Sequence, residues 1–291
     1  AMTETRMYAV AIALGPVGSF ISAGRRSRDL WYGSRLLSEM TRQVALSLQR
    51  GCPEGDRDIF WTPRQCSLDP RLSMLPEDQA GSSSVAPSTN STAQKNEPSF
   101  FDLTGLHPHE GPVISNKIRA IVPVGEGDNI QKILHKVECD ARTWLAEQLR
   151  KLKKDSNEII GVDSRAFEAQ VNAIPAGDFM EFYVGFKQVL EDTDEAKSAA
   201  LRRAQTLRDA RKNSRVFVAP SWTQAGHMRS TMEPGRDSVL IQYDARKVPK
   251  TAIEAKLARH QQGIRSDERL DAIALLRRHA AMKEELDSNG E

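Results

Sequence analysis

The chain has 291 residues, with 41 Lys and Arg against 39 Asp and Glu, and a formal net charge of +2. A chain of this length builds a core without disulfide staples, and its near-balanced charge excludes a simple polybasic nucleic-acid tail. The three cysteines (Cys52, Cys66 and Cys139) are too widely spaced for a disulfide scaffold or a Cys-x-x-Cys zinc site, and the lack of a membrane-length apolar run or a secretory signal predicts a cytoplasmic protein.

The first 190 residues predict strands and helices in the order strand, helix, strand, strand, helix, strand. Residues 7–14 are nearly all apolar and stop at Gly15-Pro16, which is typical of a central strand buried on both faces. Apolar side chains at three- and four-residue steps predict the two long helices, the second capped by Asp128 or Asn129. The strands are predicted at 7–14, 58–62, 115–123 and 179–186, and the helices at 27–48, 129–152 and, as a shorter extra helix, 164–173.

This order is the split βαβ, or ferredoxin-like, pattern, which is also the core of the palm domains of polymerases and nucleotide cyclases. We therefore predict an α+β fold with a palm-like ferredoxin domain over residues 1–190 and a mainly helical region over 191–291. Residues 77–99 contain no Ile, Leu or aromatic residue, which predicts a disordered insertion in the first domain. In the second region we predict helices at 193–211, 250–260 and 267–286, and a short strand at 239–243.

The turn after the first predicted strand is the strongest candidate site. Gly15, Gly18 and Ser19 place backbone N–H groups near a helix start, an arrangement that can hold phosphate. Three arginines that follow could neutralise such a phosphate: Arg25, Arg26 and Arg28. An ordinary strand–helix turn with a solvated basic face explains the same residues, and the Gly-Lys-Ser/Thr of a P-loop is absent.

The acid pairs needed for two-metal nucleotidyl transfer are missing where a palm would carry them. The first predicted strand ends Ala-Leu-Gly-Pro and the third begins Ser-Asn-Lys-Ile, while Glu126 and Asp128 are better explained by a helix start. We therefore predict neither a catalytic residue nor a metal ligand in this chain. A basic stretch over residues 197–215 could contact RNA phosphates through Arg202, Arg203, Arg211 and Lys212, although a solvated helix face is the more usual explanation.

Residues 15–38, GPVGSFISAGRRSRDLWYGSRLLS, resemble one family closely. They are similar to the first palm domain of the large subunit of type III-B, Cmr-type CRISPR effector complexes, which reads roughly GPVQxFIxxARRTRDLWxGSxLLS at this place. Weaker matches to the same family follow in the right order at residues 116–123, 210–215 and 268–278.

The resemblance implies a subunit with two facing palms and a zinc-binding module, preceded in many members by an HD nuclease domain. In the family, ATP binds between the palms and a Gly-Gly-Asp-Asp motif in the second palm makes cyclic oligoadenylate once target RNA is recognised. The resemblance then places one wall of that ATP site at Gly15, Pro16, Val17, Gly18, Ser19, Arg25, Arg26, Arg28 and Ser34. Asp29 is expected to pair with a neighbouring arginine and order the helix start, and Trp31, Leu36 and Leu37 are expected in the core.

The sequence departs from the family pattern in three ways. It opens on the first palm strand without an HD domain, it lacks the Gly-Gly-Asp-Asp motif, and residues 224–240, at the position of the zinc module, contain no cysteine. We therefore expect one palm that is inactive alone, binds ATP, uses Mg²⁺ only when a second palm in cis or trans completes the site, and holds no zinc. Whether the chain is a fragment or a natural split subunit stays open.

The expected partners are other type III effector subunits, CRISPR RNA and target RNA, with no membrane. The first alternative is a non-catalytic interaction module that docks partners through its helical C-terminal third. A stand-alone nucleotide cyclase of the same fold is a third and less favoured interpretation, since the acid pair is missing.

Overall fold

The computed structural model describes residues 5–52, 59–62, 115–214, 228–241, 259–260, 263–265 and 267–278. The strands are β1 (Arg6–Gly15), β2 (Phe60–Thr62), β3 (Lys117–Val124) and β4 (Glu181–Val189). The helices are α1 (Gly18–Ser22), α2 (Ser27–Arg50), α3 (Ile130–Ile160), α4 (Ser164–Ala173) and α5 (Asp194–Asn213), and residues 272–278 are also helical. The insertion predicted at 77–99 and most of the helix predicted at 250–260 lie outside the described residues.

The four strands form one antiparallel sheet in the order β2-β3-β1-β4. Strand β1 is central, so Ile12 pairs with Ile118 of β3 on one side and with Val184 of β4 on the other. The apolar run that predicted a doubly buried strand is 4% exposed or less from Ala9 to Leu14. The mixture of this sheet with separate helices is an α+β fold, as predicted.

Helices cover both faces of the sheet. Alternate residues of β1, including Val10 and Ile12, face a large core built with α2, α3 and α4. On the opposite face, Ala9 and Val189 pack in a smaller cluster with Ala200 and Leu201 of α5. Residues from the C-terminal third, among them Val239, Leu270 and Leu275, belong to the larger core. Within the described ranges, no helix is long and apolar enough to cross a membrane.

The helix ends follow from their capping residues. The Asn129 side chain accepts a hydrogen bond from the Gln131 N–H at 2.8 Å, so Asn129 rather than Asp128 caps α3. Helix α3 runs eight residues beyond its predicted end at 152 and stops at Gly161, whose φ of 66° is the left-handed conformation that glycine adopts freely. Helix α4 has the predicted bounds, and Thr193 caps α5.

Two expectations about exposure are wrong. Leu36 and Leu37 are buried as predicted, but Trp31 is 37% exposed and lies beneath the guanidinium of Arg35, 5.3 Å from the ring centre. The helix predicted at 267–286 begins only at 272, and residues 271–278 are all buried rather than amphipathic. The helix starts late because Asp271 caps it: its side chain accepts hydrogen bonds from the N–H groups of Ile273 and Ala274, the second and third helical residues.

The strand predicted at 239–243 is reduced, as far as its described residues go, to a single bridge. Leu240 pairs with Val162 just before α4, and residue 241 is the last described residue of this segment. The backbone N–H of Asp163, the residue after Val162, donates to the Val239 carbonyl at 2.7 Å, which fixes the segment beside the start of α4.

Candidate functional site at the turn after the first strand

The turn after β1 lies at the end of the sheet where β1 ends and β4 begins. Gly15 is the last residue of β1 and pairs with Glu181, the first residue of β4. A Cβ placed on Gly15 would lie 2.6 Å from the Glu181 Oε2 atom, which is the end of a flexible side chain, and 3.4 Å from the Glu181 Cβ. A larger residue at position 15 would therefore require the Glu181 carboxylate to move aside.

The backbone of the predicted phosphate-binding turn changes from buried to exposed along its length. Gly15 is buried and Pro16 and Val17 are half-buried, whereas Gly18 at the start of α1 is exposed and its Cβ position meets no atom within 4 Å. The Ile21 N–H donates to the Val17 carbonyl at 2.9 Å, which closes the short helix. The Ser19 side chain lies outside the described atoms. Among residues 15–18 of the turn, Gly18 is the one that is exposed to solvent.

The predicted phosphate-binding arginines are engaged with other parts of the chain. The exposed Arg25 donates from Nη2 to the Thr231 carbonyl at 2.9 Å. The Arg26 guanidinium lies 3.9 Å from the Glu268 carboxylate, and the Arg28 side chain is outside the described atoms. The C-terminal third of the chain thus contacts two of the three arginines directly.

Ser34, the last predicted nucleotide contact, is half-buried about two helical turns beyond the start of α2. Its neighbour Gly33 is buried against a side chain from the C-terminal segment: a Cβ at Gly33 would lie 3.2 Å from Nη2 of Arg277. A Cβ at Gly24 would lie 2.9 Å from the same nitrogen. Gly24 and Gly33 therefore both leave room for the guanidinium of Arg277.

A buried pair of arginines holds the start of α2, and the sequence analysis missed it. Arg278 is 0% exposed and makes a two-bond contact with the Asp29 carboxylate, at 2.8 Å from Nε and 2.9 Å from Nη2. It also contacts the Glu268 carboxylate at 2.9 Å. The Asp29 carboxylate accepts the Arg26 backbone N–H as well, at 3.2 Å, so it does order the helix start as predicted, with an arginine distant in sequence.

Arg277 binds main-chain oxygens instead of a carboxylate. Its Nη1 donates to the Phe20 carbonyl at 2.9 Å, and its Nη2 donates to the Asp29 carbonyl at 2.8 Å. Burial lowers the pKa of the Arg277 guanidinium, because the charged form loses its water. Burial acts in the same direction on Arg278, but its hydrogen bonds to Asp29 and Glu268 outweigh burial and raise the pKa of that guanidinium.

The predicted RNA contacts lie away from this turn. All four residues are exposed on α5, which covers the sheet face opposite α2 and α3: Arg202, Arg203, Arg211 and Lys212. Arg208 of the same helix is buried and is bound by Asp209 at 2.8 Å. The structure therefore places the predicted RNA contacts on a helix that packs against the sheet face opposite α2. Among the described residues, no group of three or more His, Cys, Asp or Glu is placed to hold a metal ion.

These features define the chain as an α+β domain with a four-stranded antiparallel sheet and a turn after its first strand held by distant arginines. The chain belongs to the family described as CRISPR-associated protein Cmr2, N-terminal, whose model matches residues 9–154. The match includes residues 15–38, which carried the resemblance, and confirms it.

The comparison with solved structures supports the fold over nearly the whole chain. A chain of the "Cryo-EM structure of the Type III-B Cmr-beta bound to cognate target RNA" matches with a TM-score of 0.55 and 16% sequence identity. The alignment covers 96% of this chain and 32% of that chain, so the protein spans about a third of the length of this structural relative. No curated protein matches the sequence.

Proposed function

We propose that the chain forms one palm of the large subunit of a type III-B RNA-guided antiviral effector complex. The family match and the likeness to a chain of a Cmr complex bound to target RNA support this role. The strand order supports the palm assignment: in a split βαβ fold all neighbouring strands are antiparallel in the order β2-β3-β1-β4 and both crossover helices, here α2 and α3, share one face. The partners are other effector subunits, CRISPR RNA and target RNA.

In this proposal the turn after β1 is one wall of an ATP site for cyclic oligoadenylate synthesis, completed by a second palm in cis or trans. The observation that carries it is the open backbone at Gly18, just after the end of β1, together with the exposed Arg25 seven residues later in the chain. Backbone N–H groups and a guanidinium are the donors that phosphate oxygens accept from. Arg26, Arg28 and Ser34 extend the same wall, and Mg²⁺ enters only with carboxylates from the second palm.

A non-catalytic scaffold is the second candidate, and the arginine contacts favour it. Arg25 and Arg26, expected at phosphate, already contact the Thr231 carbonyl and the Glu268 carboxylate. If those contacts are the whole role of the two arginines, the motif serves the fold and the exposed surface serves only to dock neighbouring subunits.

Calorimetric titration with ATP, with and without Mg²⁺, separates the two candidates. We expect the joint Arg25→Ala and Arg26→Ala variant to bind ATP about tenfold or more weakly, because a charge-assisted hydrogen bond to phosphate contributes about 1.5–3 kcal/mol. The matched control is Arg211→Ala with Lys212→Ala, which removes the same charge from exposed positions on α5. Equal ATP affinity in both variants would favour the scaffold. No heat from the unaltered chain would mean that the pocket needs the second palm or that the chain is only a scaffold.

The proposed function also includes RNA contact through α5. Its support is the exposure of four basic side chains between residues 202 and 212 of one helix, with Asp209 the lone acid in that stretch and already bound to Arg208. Phosphate contacts release condensed counterions, so RNA affinity should fall with salt in proportion to the number of contacts.

We expect the fourfold alanine variant of α5 to bind a single-stranded RNA oligonucleotide with a flatter salt dependence. Removing four phosphate contacts should reduce the slope of log affinity against log salt by about 3, since each contact to a single strand contributes about 0.7. Fluorescence anisotropy across a salt series measures the slope. The control removes four exposed basic residues of α3: Lys132, Lys136, Arg150 and Lys151. A slope that falls equally in both variants would contradict a specific role for α5.

A further inference from the structure

The arginine that touches the main chain on both sides of the turn comes from the far end of the described chain. Arg277 is 2% exposed, and its three contacts are to backbone oxygens of residues more than 240 positions earlier. Phe20 lies in α1 and Asp29 in the first turn of α2, so one planar guanidinium bridges the two helices that enclose residues 23–26. The planar guanidinium of an arginine holds its donors in a fixed geometry and can set the spacing between two carbonyls, whereas the ammonium group of a lysine cannot.

Two adjacent aromatic rings, with an arginine at each end, support this guanidinium. Arg277 lies 4.5 Å from the centre of the Phe20 ring, and Phe20 meets Phe179 edge-on at 5.1 Å. Arg236 lies 5.5 Å from the Phe179 ring and is itself held by Asp178 at 2.7 and 2.9 Å. Phe179 has a φ of 68°, a conformation that costs a non-glycine residue energy and persists only where the surroundings hold it.

We infer that Arg277 is a positioning residue for the turn after β1: the C-terminal segment must dock before residues 18–34 adopt the conformation seen in the structure. The guanidinium is buried, so it does not reach a ligand on the surface of the turn and acts only through the backbone of α1 and α2. For ATP affinity this inference rests on the proposed function. For the conformation of the turn it stands on the contacts alone.

The first test compares Arg277→Lys with Arg259→Lys in the full chain. Arg259 is a matched control, because it is also buried and donates from one nitrogen to two backbone carbonyls, of Gly161 and Ile241, at 2.9 Å each. We expect amide hydrogen exchange across residues 18–34 to speed up about tenfold in Arg277→Lys and to stay unchanged in Arg259→Lys. Equal exchange of these amides in both variants overturns the inference, because a loss of overall stability alone would then explain it.

The second variant, Gly33→Ala, covers the case in which Arg277→Lys does not fold. The added methyl group would lie 3.2 Å from Nη2 and 3.3 Å from Nε of Arg277 and would displace the guanidinium, while alanine itself favours the helix. We expect faster exchange across residues 18–23, on the far side of the bridge. Exchange there that is unchanged or slower overturns the inference.

Calorimetry with ATP on the same proteins separates this inference from the proposed function. If the unaltered chain binds ATP, we expect Arg277→Lys to weaken binding about tenfold while Arg259→Lys does not; unchanged ATP affinity alongside faster exchange would restrict Arg277 to the fold and overturn its positioning role for the nucleotide. If the unaltered chain does not bind ATP but the turn exchanges faster only in Arg277→Lys, ATP binding by this palm alone is excluded and the positioning of the turn is supported.

Discussion

Replacing Arg278 by Met should lower the free energy of unfolding by about 3–5 kcal/mol, the usual cost of removing one member of a buried ion pair. Arg278 is fully buried between two carboxylates, with Asp29 0% and Glu268 5% exposed. Methionine fills much of the volume but leaves both acids without their common cation. Chemical denaturation, with the folded baseline checked by circular dichroism, measures the loss.

The control for this prediction is Arg208→Met on α5. Arg208 is also buried, but the side chain of its partner Asp209 is 56% exposed, so water can solvate the acid once the cation is gone. We expect a loss of about 1 kcal/mol there, as for an ordinary surface pair. Adding Asp29→Asn to Arg278→Met should recover part of the larger loss, because it removes the charge left at Asp29, whereas Glu268 keeps the Arg26 guanidinium at 3.9 Å. Losses of the same size at positions 208 and 278 would show that charge burial is not what makes Arg278 important.

The sequence predicted elements whose cause is local. The apolar run of β1, the cap at Asn129 and the bounds of α4 follow from hydrophobic period and capping chemistry within a few residues. The predicted end of α3 is eight residues too early, because the apolar stripe of the helix fades before Gly161, the residue that ends it. Trp31 was misplaced because its spacing on α2 fits the core stripe, while its neighbour Arg35 offers the ring a cation at the surface.

The sequence predicted the position of the turn after β1 but not the contacts that hold it. The turn itself, from Gly15 to the start of α2, is where the sequence placed it. Its fastening by Arg277 and Arg278 depends on contacts across 248 and 249 residues, and no periodicity or local motif reports a pairing at that separation. The available signal was indirect: two segments of the chain, at 15–38 and 268–278, resemble the same family, and the structure shows that they touch.

Gly185→Ala should also cost about 3 kcal/mol, at the upper end of the usual penalty for overpacking. Gly185 lies in β4 beneath α5, where a Cβ would overlap the Ala204 carbonyl oxygen and lie 2.5 Å from the Arg208 backbone nitrogen. Both obstacles are main chain, so no rotamer change relieves them. The helix must move away from the sheet, and denaturant unfolding together with amide exchange of α5 measures that movement.

Helix α5 packs close to the sheet because small residues face each other on the helix and on the strands. Ala200 and Ala204 face the sheet and are 7% and 0% exposed, opposite Ala9 and Gly185. A shift of α5 should therefore speed exchange in α5 while α2, on the other face, keeps its protection. Gly125→Ala is the control, since its Cβ would meet only the Asp128 side chain at 3.5 Å, an ordinary contact. Equal stability of the two alanine variants would mean that α5 adjusts its position at no cost, and that the small residues do not fix the distance between helix and sheet.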